Sequence, residues 1–188
     1  KIPILGGMSM AKPYLGNRNP RFVRIGRGGL LEDGPHQSLA LWAASCAERV
    51  LPLFQESYPS VLGPSQAVDA TRIWAKDGMT MMEARSFAYA AHAAAREVEG
   101  VAREVARACG HAVATAHMAD HELGAAFYAL RAIQLAFPDQ PEKVAAERAW
   151  QKEALTEDIR ELVLDDMKQR ASKFQHIFDD SLPMQEES

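Results

Sequence analysis

A tryptophan motif occurs twice in this chain, and the two copies are offset by 76 residues. The first copy reads Val68-x-Ala70-x-Arg72-x-Trp74, and the second reads Val144-x-Ala146-x-Arg148-x-Trp150. A threonine stands six positions after each tryptophan, as Thr80 and as Thr156. Because the chain has only three tryptophans, we interpret the match as an internal duplication, in which one helical unit is written twice and packs against itself. Trp74 and Trp150 are then expected to be buried at equivalent positions.

Helical periodicity begins at Pro35 and continues through most of the remaining chain. Apolar side chains recur at spacings of three and four residues, which is typical of amphipathic helices, and prolines and glycines separate the segments. The predicted helices span residues 35–58, 65–77, 81–98, 101–136, 141–153 and 156–177. Pro52 and Gly110 lie inside two of these segments, where each is expected to kink or split its helix. The predicted fold class is therefore all-α, a duplicated helical bundle of about six to seven helices.

The chain divides into three segments by composition. Residues 1–35 are rich in glycine, proline, asparagine and arginine, and we interpret them as an irregular N-terminal arm laid over the helical body. The arm contains a strand-like run at residues 21–25. The part before Met8 is either natural or vector-derived, and we favour a vector-derived origin. Residues 36–178 are predicted to form a single helical domain built from two related halves, 36–98 and 101–178, followed by a polar tail at 179–188.

Two of the predicted helices start at a threonine. Thr80-x-x-Glu83 is a capping box, in which the threonine oxygen accepts from the backbone N–H of Glu83 and the glutamate accepts from the N–H of Thr80. Thr156 has no glutamate three residues later and is expected to be a lone N-cap. Glu157 and Asp158 follow it in the first turn, where negative charge complements the helix dipole.

Composition and charge argue against several classes of protein. The apolar fraction of 47% is that of a globular protein, and the net charge of −4 argues against broad attraction to nucleic acid or to an anionic membrane. No run of about 18 apolar residues is free of charge, so no segment is expected to span a bilayer. The two cysteines, Cys46 and Cys109, lie far apart in alanine-rich segments. This pattern favours reduced thiols in a cytoplasmic protein over a disulfide.

Histidines provide the candidate ligand-binding groups. His117 and His121 are four residues apart on the predicted long helix, so they share a face, and Asp120 lies roughly 60° around it. With His92 from the preceding helix, these side chains are candidates for a metal site, whereas His111 lies about 120° away from His117 and is expected to stand apart. Because spacing supports only two ligands, we favour structural histidines that hydrogen-bond to neighbouring backbone. A ligand site and a metal site remain as alternatives.

The usual sequence signatures of catalysis are missing from the chain. It contains no Gly-x-Ser-x-Gly elbow, no Gly-x-x-x-x-Gly-Lys phosphate loop and no Cys-x-x-Cys pair. Met118 stands where the zinc-protease pattern would need a glutamate. We therefore predict no catalytic residues, no cofactor-binding residues and no bound metal.

Several further segments carry a resemblance to a known family. They are Arg21-Phe22-Val23-x-Ile25-x-Arg27-Gly28-Gly29, the run from Leu41-Trp42 to Leu53-Phe54, Ala70-x-Arg72-x-Trp74, Met82-Glu83-Ala84-Arg85, and the run from Gly110-His111 to Gly124-Ala125-Ala126. With these motifs the chain resembles the bacterial putative immunity protein family of polymorphic toxin systems. The resemblance covers roughly residues 20–160, and its motifs are largely alanine-rich helix faces.

The resemblance implies an all-helical, non-enzymatic cytoplasmic protein that binds and neutralises a partner toxin. Some relatives carry the label of an exonuclease subunit, but this sequence has neither a nucleotide-binding loop nor a carboxylate cluster to match it. The alternative is a helical bundle that binds a small molecule or a metal through His92, His117 and His121, and that could be an enzyme. The sequence leaves the toxin and the oligomeric state open.

Overall fold

The computed structural model describes residues 14–180, which fold into seven α-helices. The helices are α1 (Asp33–Gln55), α2 (Gly63–Trp74), α3 (Met81–Arg96), α4 (Gly100–Ala114), α5 (Glu122–Ala136), α6 (Pro141–Glu153) and α7 (Glu157–Gln169). Short 3-10 turns occur at Pro20–Phe22, Ile25–Arg27, Ala119–His121 and Ser172–Phe174. The predicted all-α fold class is confirmed. The expectations for the leader before Met8 and for most of the polar tail fall outside the described residues.

Helix α4 lies at the centre of the bundle, in contact with α1, α2, α3 and α5. Its buried side chains are mostly small, because alanine, valine and cysteine occupy nearly all of its inward positions. Small residues let the backbones of neighbouring helices approach closely, and the interior is then filled by larger side chains from the surrounding helices. The largest fully buried apolar side chains are Phe54, Leu39, Leu123, Leu130 and Ile159.

The predicted helix boundaries agree best where a proline or a capping residue marks them. Helix α6 begins at Pro141 and ends at Glu153, as predicted. Helix α1 continues through Pro52 to Gln55, so the expected split does not occur. Pro52 lies in the last turn, where its missing N–H costs the helix a single hydrogen bond. Helix α7 ends earlier than predicted, because the chain passes into a 3-10 turn and then adopts positive φ angles at Gln175 (52°) and His176 (56°).

The predicted long helix at 101–136 is wrong, since the structure has two helices there. The break lies between Thr115 and Met118, not at Gly110, which stays helical inside α4. Met118 is extended, and a 3-10 turn follows it before α5 begins. The cause is tertiary: Arg18 from the arm holds the Asp120 side chain, and Arg170 from the C-terminal region donates to the Asp120 carbonyl at 3.0 Å.

The described part of the arm packs on the helical body and contributes to its core. The predicted strand at residues 21–25 is wrong, because one 3-10 turn ends at Phe22, the next begins at Ile25, and between them only Arg24 forms an isolated bridge, to Leu31. Gly28 adopts a left-handed φ of 83°, which favours glycine and lets the chain reverse there. Phe22 and Leu31 are consequently buried in the hydrophobic core. An ion pair of 2.8 Å between Arg21 and Asp165 ties the arm to α7.

The arrangement of the helices does not confirm the internal duplication. Both segments are two helices joined by a turn, and Trp74 and Trp150 are both half-buried. Helix α2 packs on α3 and α4, however, whereas α6 packs on α5. The Trp74 ring meets the edge of His36 at 4.9 Å, while Arg49 lies over the Trp150 ring at 4.0 Å. The two copies of the motif therefore make different contacts.

The cysteines are both buried and unpaired, as the sequence predicted. Burial raises the pKa of Cys109 to about 12, so this thiol stays protonated at neutral pH. Among residues 14–180, none of the helices is long and apolar enough to cross a membrane.

We expect Thr80→Ala to lower the free energy of unfolding by about 1 kcal/mol and the melting temperature by about 2–4 °C. The predicted capping box is present, because Thr80 Oγ1 accepts from the N–H of Glu83 at 3.2 Å and Glu83 accepts from the N–H of Thr80 at 2.7 Å. Thr156 stands at the N-cap of α7, but its side chain bonds Asp158 and caps no backbone N–H. Thr156→Ala is therefore the matched control. Equal decreases in the melting temperature of the two variants would contradict the assignment of Thr80 as the stronger cap.

Candidate functional site

Four histidines lie against one another where α3, α4 and the start of α5 meet. We call His92, His111, His117 and His121 the histidine cluster. The ring centroids are 5.4 Å apart for His92 and His111, 5.1 Å for His111 and His121, and 5.6 Å for His117 and His121. The closest polar contact joins Nδ1 of His111 to Nδ1 of His121 at 3.2 Å. One of these two nitrogens donates a hydrogen bond and the other accepts it, so at least the accepting imidazole is neutral.

The structure brings the predicted histidines together, but not for the predicted reason. His117 and His121 do not share the face of one helix, because the helix is broken between Thr115 and Met118. The expectation that His111 stands apart is wrong, since its ring contacts both His92 and His121. Reversal of the chain after α4, rather than helical spacing, forms the cluster.

Two glycines leave space for the histidine rings. A Cβ atom at Gly110 would lie 2.6 Å from Cε1 of His92, and one at Gly124 would lie 2.3 Å from Nδ1 of His111. Both distances are far shorter than van der Waals contact. Each glycine therefore permits an imidazole to lie flat against the backbone of a helix.

Gly124→Ala is expected to lower the free energy of unfolding by about 1–3 kcal/mol, the usual cost of overpacking. Helix propensity alone predicts the opposite, since alanine is favoured over glycine by about 1 kcal/mol in a helix interior. The His111 ring makes the substitution destabilising, because the new methyl group would also lie 2.7 Å from Cγ of that ring. Gly34→Ala in α1 is the matched control, as its Cβ would meet nothing within 4 Å. Urea denaturation that finds Gly124→Ala as stable as the control would refute the close approach.

Two arginines hold the turn that carries His117, Asp120 and His121. Arg18 donates to both carboxylate oxygens of Asp120, at 2.7 and 3.3 Å. Arg170 donates to Glu122, which is fully buried, at 3.2 Å, and also pairs with Asp166. Burial raises the pKa of Glu122, and the Arg170 guanidinium opposes that effect. The start of α5 is thus fixed by charges that come from both ends of the described chain.

The environment of the histidine cluster favours uncharged rings. Burial, with the neighbouring histidines, lowers the pKa of His111 to about 3. Burial lowers the pKa of His121 to about 4, against the opposing effect of Asp120. Burial also lowers the pKa values of His92 and His117, with contributions from nearby arginines. The cluster therefore supplies neutral imidazoles at physiological pH.

The cluster is poorly arranged for a metal ion. Within residues 14–180, no group of three histidine, cysteine, aspartate or glutamate side chains is placed to hold one. Asp120, the candidate oxygen ligand, already accepts from Arg18 with both oxygens. Nδ1 of His117 is buried without a hydrogen-bond partner in the described region. The neighbour of the His117 ring in the cluster is the His121 ring, and not an acidic side chain that could share a metal ion.

The outer face of α3 carries a row of side chains above the histidine cluster. Met82, Arg85, Tyr89, His92 and Arg96 are spaced by three, four, three and four residues, and we call them the α3 stripe. Tyr89 is 59% exposed and Met82 is 62% exposed, although both are large. The Arg85 guanidinium lies 5.4 Å from the centre of the Tyr89 ring. The alanines on the opposite side of the helix are buried and the other four side chains of the stripe are exposed, whereas His92 is half-buried against α4.

A cleft opens at the C-terminal end of the α3 stripe. Its volume is about 610 Å³, and it is lined by His92, Ala95, Arg96, Arg103 and Arg107. We call it the arginine cleft. Three guanidinium groups and no carboxylate line it. His92 belongs to both the cleft and the histidine cluster, so the two features are continuous.

Sequence reasoning found three of the four clustered histidines and missed the surface beside them. The stripe could have been found, because the spacing of Met82, Arg85, Tyr89, His92 and Arg96 is visible in the sequence. Arg103 and Arg107 are also one helical turn apart, which places them on one face. Only the packing of α3 on α4 shows that Arg96 from α3 lies beside Arg103 and Arg107 from α4.

A model of a known protein family matches most of the chain. The model of the Imm-5 like putative immunity proteins matches residues 29–158. The chain belongs to the Imm-5 like putative immunity protein family. The match includes α1 to α6, the histidine cluster and the arginine cleft, and it confirms the family that the sequence motifs indicated. No curated protein and no solved structure matched the chain.

Proposed function

We propose that this immunity protein binds a partner toxin in the bacterial cytoplasm and neutralises it by covering its functional surface. Membership of the Imm-5 like family is the observation that carries the proposal. The function requires no catalytic group of the immunity protein, only a surface that recognises one partner tightly and excludes water from the contact.

The α3 stripe is the surface that best fits this role. Tyrosine, arginine and methionine are the residue types enriched at the centres of protein interfaces, and the stripe consists of these types with one histidine. Its exposed aromatic and sulfur-containing side chains would otherwise lie in water at a cost in free energy. The helix beneath is held rigidly on α2 and α4, so the stripe needs little ordering when a partner binds.

The alternative of a small-molecule or metal-binding bundle has less support. It would use His92, His117 and His121, and the structure does place these rings near one another. Glycines and neighbouring rings pack directly against the histidines, however, so the rings line little free volume except where His92 meets the arginine cleft. We therefore assign the histidine cluster a structural role beneath the binding surface.

Co-expression with the toxin encoded beside this gene in its source genome tests the proposal. The toxin alone should stop growth of a host strain, and the wild-type immunity protein should restore it. The double variant Arg85→Ala/Tyr89→Ala should restore growth poorly while remaining folded by circular dichroism. Lys143→Ala is the matched control, because Lys143 also lies over an aromatic ring, Phe137, but near the start of α6. Failure of the wild-type protein to protect cells from every toxin encoded nearby would overturn the proposed function.

A further inference from the structure

The arginine cleft presents positive charge that the protein itself leaves largely uncompensated. Among the described residues, Arg96 has no hydrogen-bond or ion-pair partner, and it is exposed. Arg103 reaches only a loose contact of 3.5 Å with Glu99, whose side chain is 91% exposed. Arg107 pairs with Glu104 at 3.4 Å. In a chain with a net charge of −4, three guanidinium groups around one opening form a local exception.

Two of the three arginines of the cleft, Arg103 and Arg107, are held in position before any partner arrives. Arg103 donates from Nε to the Val98 carbonyl at 3.0 Å, which anchors its side chain at the start of α4. The Arg107 guanidinium lies 5.4 Å from the centre of the Tyr128 ring. A guanidinium fixed by such contacts loses little conformational freedom on binding, and its planar fork suits a carboxylate.

We propose that the arginine cleft binds an acidic segment of the partner toxin, a loop or helix end with at least two neighbouring aspartate or glutamate side chains. This inference rests on the proposed function, since it names the chemistry of the partner at one part of the same surface. The volume of about 610 Å³ accommodates a few side chains. Carboxylates entering the cleft would meet Arg96 first, because Arg96 is exposed and belongs to the α3 stripe as well.

A protein segment fits the cleft better than a nucleic acid does. A phosphate backbone is bound by a long track of positive charge, often with aromatic rings stacked on successive bases. Here Glu97 and Glu99, in the turn between α3 and α4, limit the positive charge to a short stretch, which matches a pair of carboxylates rather than a long phosphate track. The apolar Met82 and Tyr89 continue the surface on the other side, which suits a folded protein partner.

A peptide titration tests the cleft without the toxin. A fluorescent hexaglutamate peptide should bind the wild-type protein, and its affinity should fall as the salt concentration is raised, whereas hexaglutamine should not bind. Arg96→Glu should weaken binding about 10-fold or more, Arg96→Lys should stay within about 3-fold of wild type, and Lys143→Glu should have no effect. Equal binding of the peptide by wild type and Arg96→Glu, or tighter binding of a six-nucleotide single strand than of the peptide, would overturn the assignment.

Binding measurements with the toxin itself distinguish a failure of this inference from a failure of the proposed function. If the toxin binds, Arg96→Glu should raise its Kd about 10-fold or more, and charge reversal of the acidic segment that faces Arg96 should restore affinity. A toxin that binds wild type and Arg96→Glu with equal affinity would refute the acidic segment and leave the proposed function standing. Failure of any toxin to bind would refute the proposed function, and the peptide titration would still decide whether the cleft selects carboxylates.

Discussion

Replacing Arg170 by leucine is expected to lower the free energy of unfolding by about 3–5 kcal/mol, because the change removes the guanidinium that pairs with two buried acidic side chains. Arg170 is the ion-pair partner of Glu122 at 3.2 Å and of Asp166, and both acidic residues are almost completely buried. It also donates to the Asp120 carbonyl and so holds the turn that ends at α5. Chemical denaturation, followed by circular dichroism, measures the loss.

Arg24→Leu provides the matched control for this prediction. Arg24 pairs with Asp33 at 2.6 Å, but both side chains are more than half exposed. An exposed pair of this kind contributes at most about 1 kcal/mol. Adding Glu122→Gln to Arg170→Leu should recover part of the lost stability, because it removes one of the two buried acidic groups that have lost their guanidinium partner. Equal losses for Arg170→Leu and Arg24→Leu would contradict the account of the buried charges.

Acid is expected to destabilise the protein well before most carboxylates titrate. In the unfolded chain a histidine has a pKa near 6.5, whereas the pKa is about 3 for folded His111 and about 4 for folded His121. Between these values the unfolded state binds more protons than the folded state, so stability falls as pH decreases from 6.5 toward 4. The loss between pH 7 and pH 5 is about 2 kcal/mol for each ring. The contribution of these two rings is retained above pH 6.5.

Denaturation in urea at pH 7, 6 and 5 measures this dependence. His111→Gln removes one titrating ring and should reduce the loss of stability between pH 7 and pH 5 by about 2 kcal/mol. His176→Gln is the control, because His176 is an exposed histidine outside the cluster. The free energy of unfolding should change less steeply with pH for His111→Gln than for wild type. Parallel curves for these two proteins would mean that the cluster does not couple protonation to folding.

Apolar periodicity predicted the helices, but the prediction failed where residues distant in the sequence determine the backbone conformation. Helices α2, α3 and α6 follow apolar periodicity with local start signals, such as Pro141 and the Thr80 capping box, and their bounds agree within three residues. The break before α5 has no local proline or glycine to mark it. Arg18 and Arg170, both far away in sequence, stabilise the turn there.

The tryptophan repeat shows a second limit of sequence reasoning. The motif does mark two helices, each followed by a turn with a threonine at the N-cap position of the next helix. It does not determine which neighbours those helices contact. The packing partners differ, and the deeply buried tryptophan is Trp42, which lies outside the motif and donates to the Gln151 carbonyl at 2.8 Å.

The candidate site was predictable in composition but not in geometry. His92, His117 and His121 stood out among the alanines, whereas His111 was set apart by assuming a continuous helix. Once α4 and α5 fold back on each other, His111 reaches His121 and joins the cluster. The sequence predicts a kink or split at Gly110, whereas only the packed rings reveal why a side chain is excluded at Gly110 and at Gly124.

The affinity of the partner toxin for wild-type and variant proteins tests the central claim most directly. Titration calorimetry should find tight binding by wild type and a Kd about 30-fold higher or more for Arg85→Ala/Tyr89→Ala, since the loss of central aromatic and arginine contacts costs about 2 kcal/mol or more. Lys143→Ala should bind within about 2-fold of wild type, as peripheral changes usually do. A toxin that binds wild type and the double variant with the same Kd would show that the α3 stripe is not the binding surface.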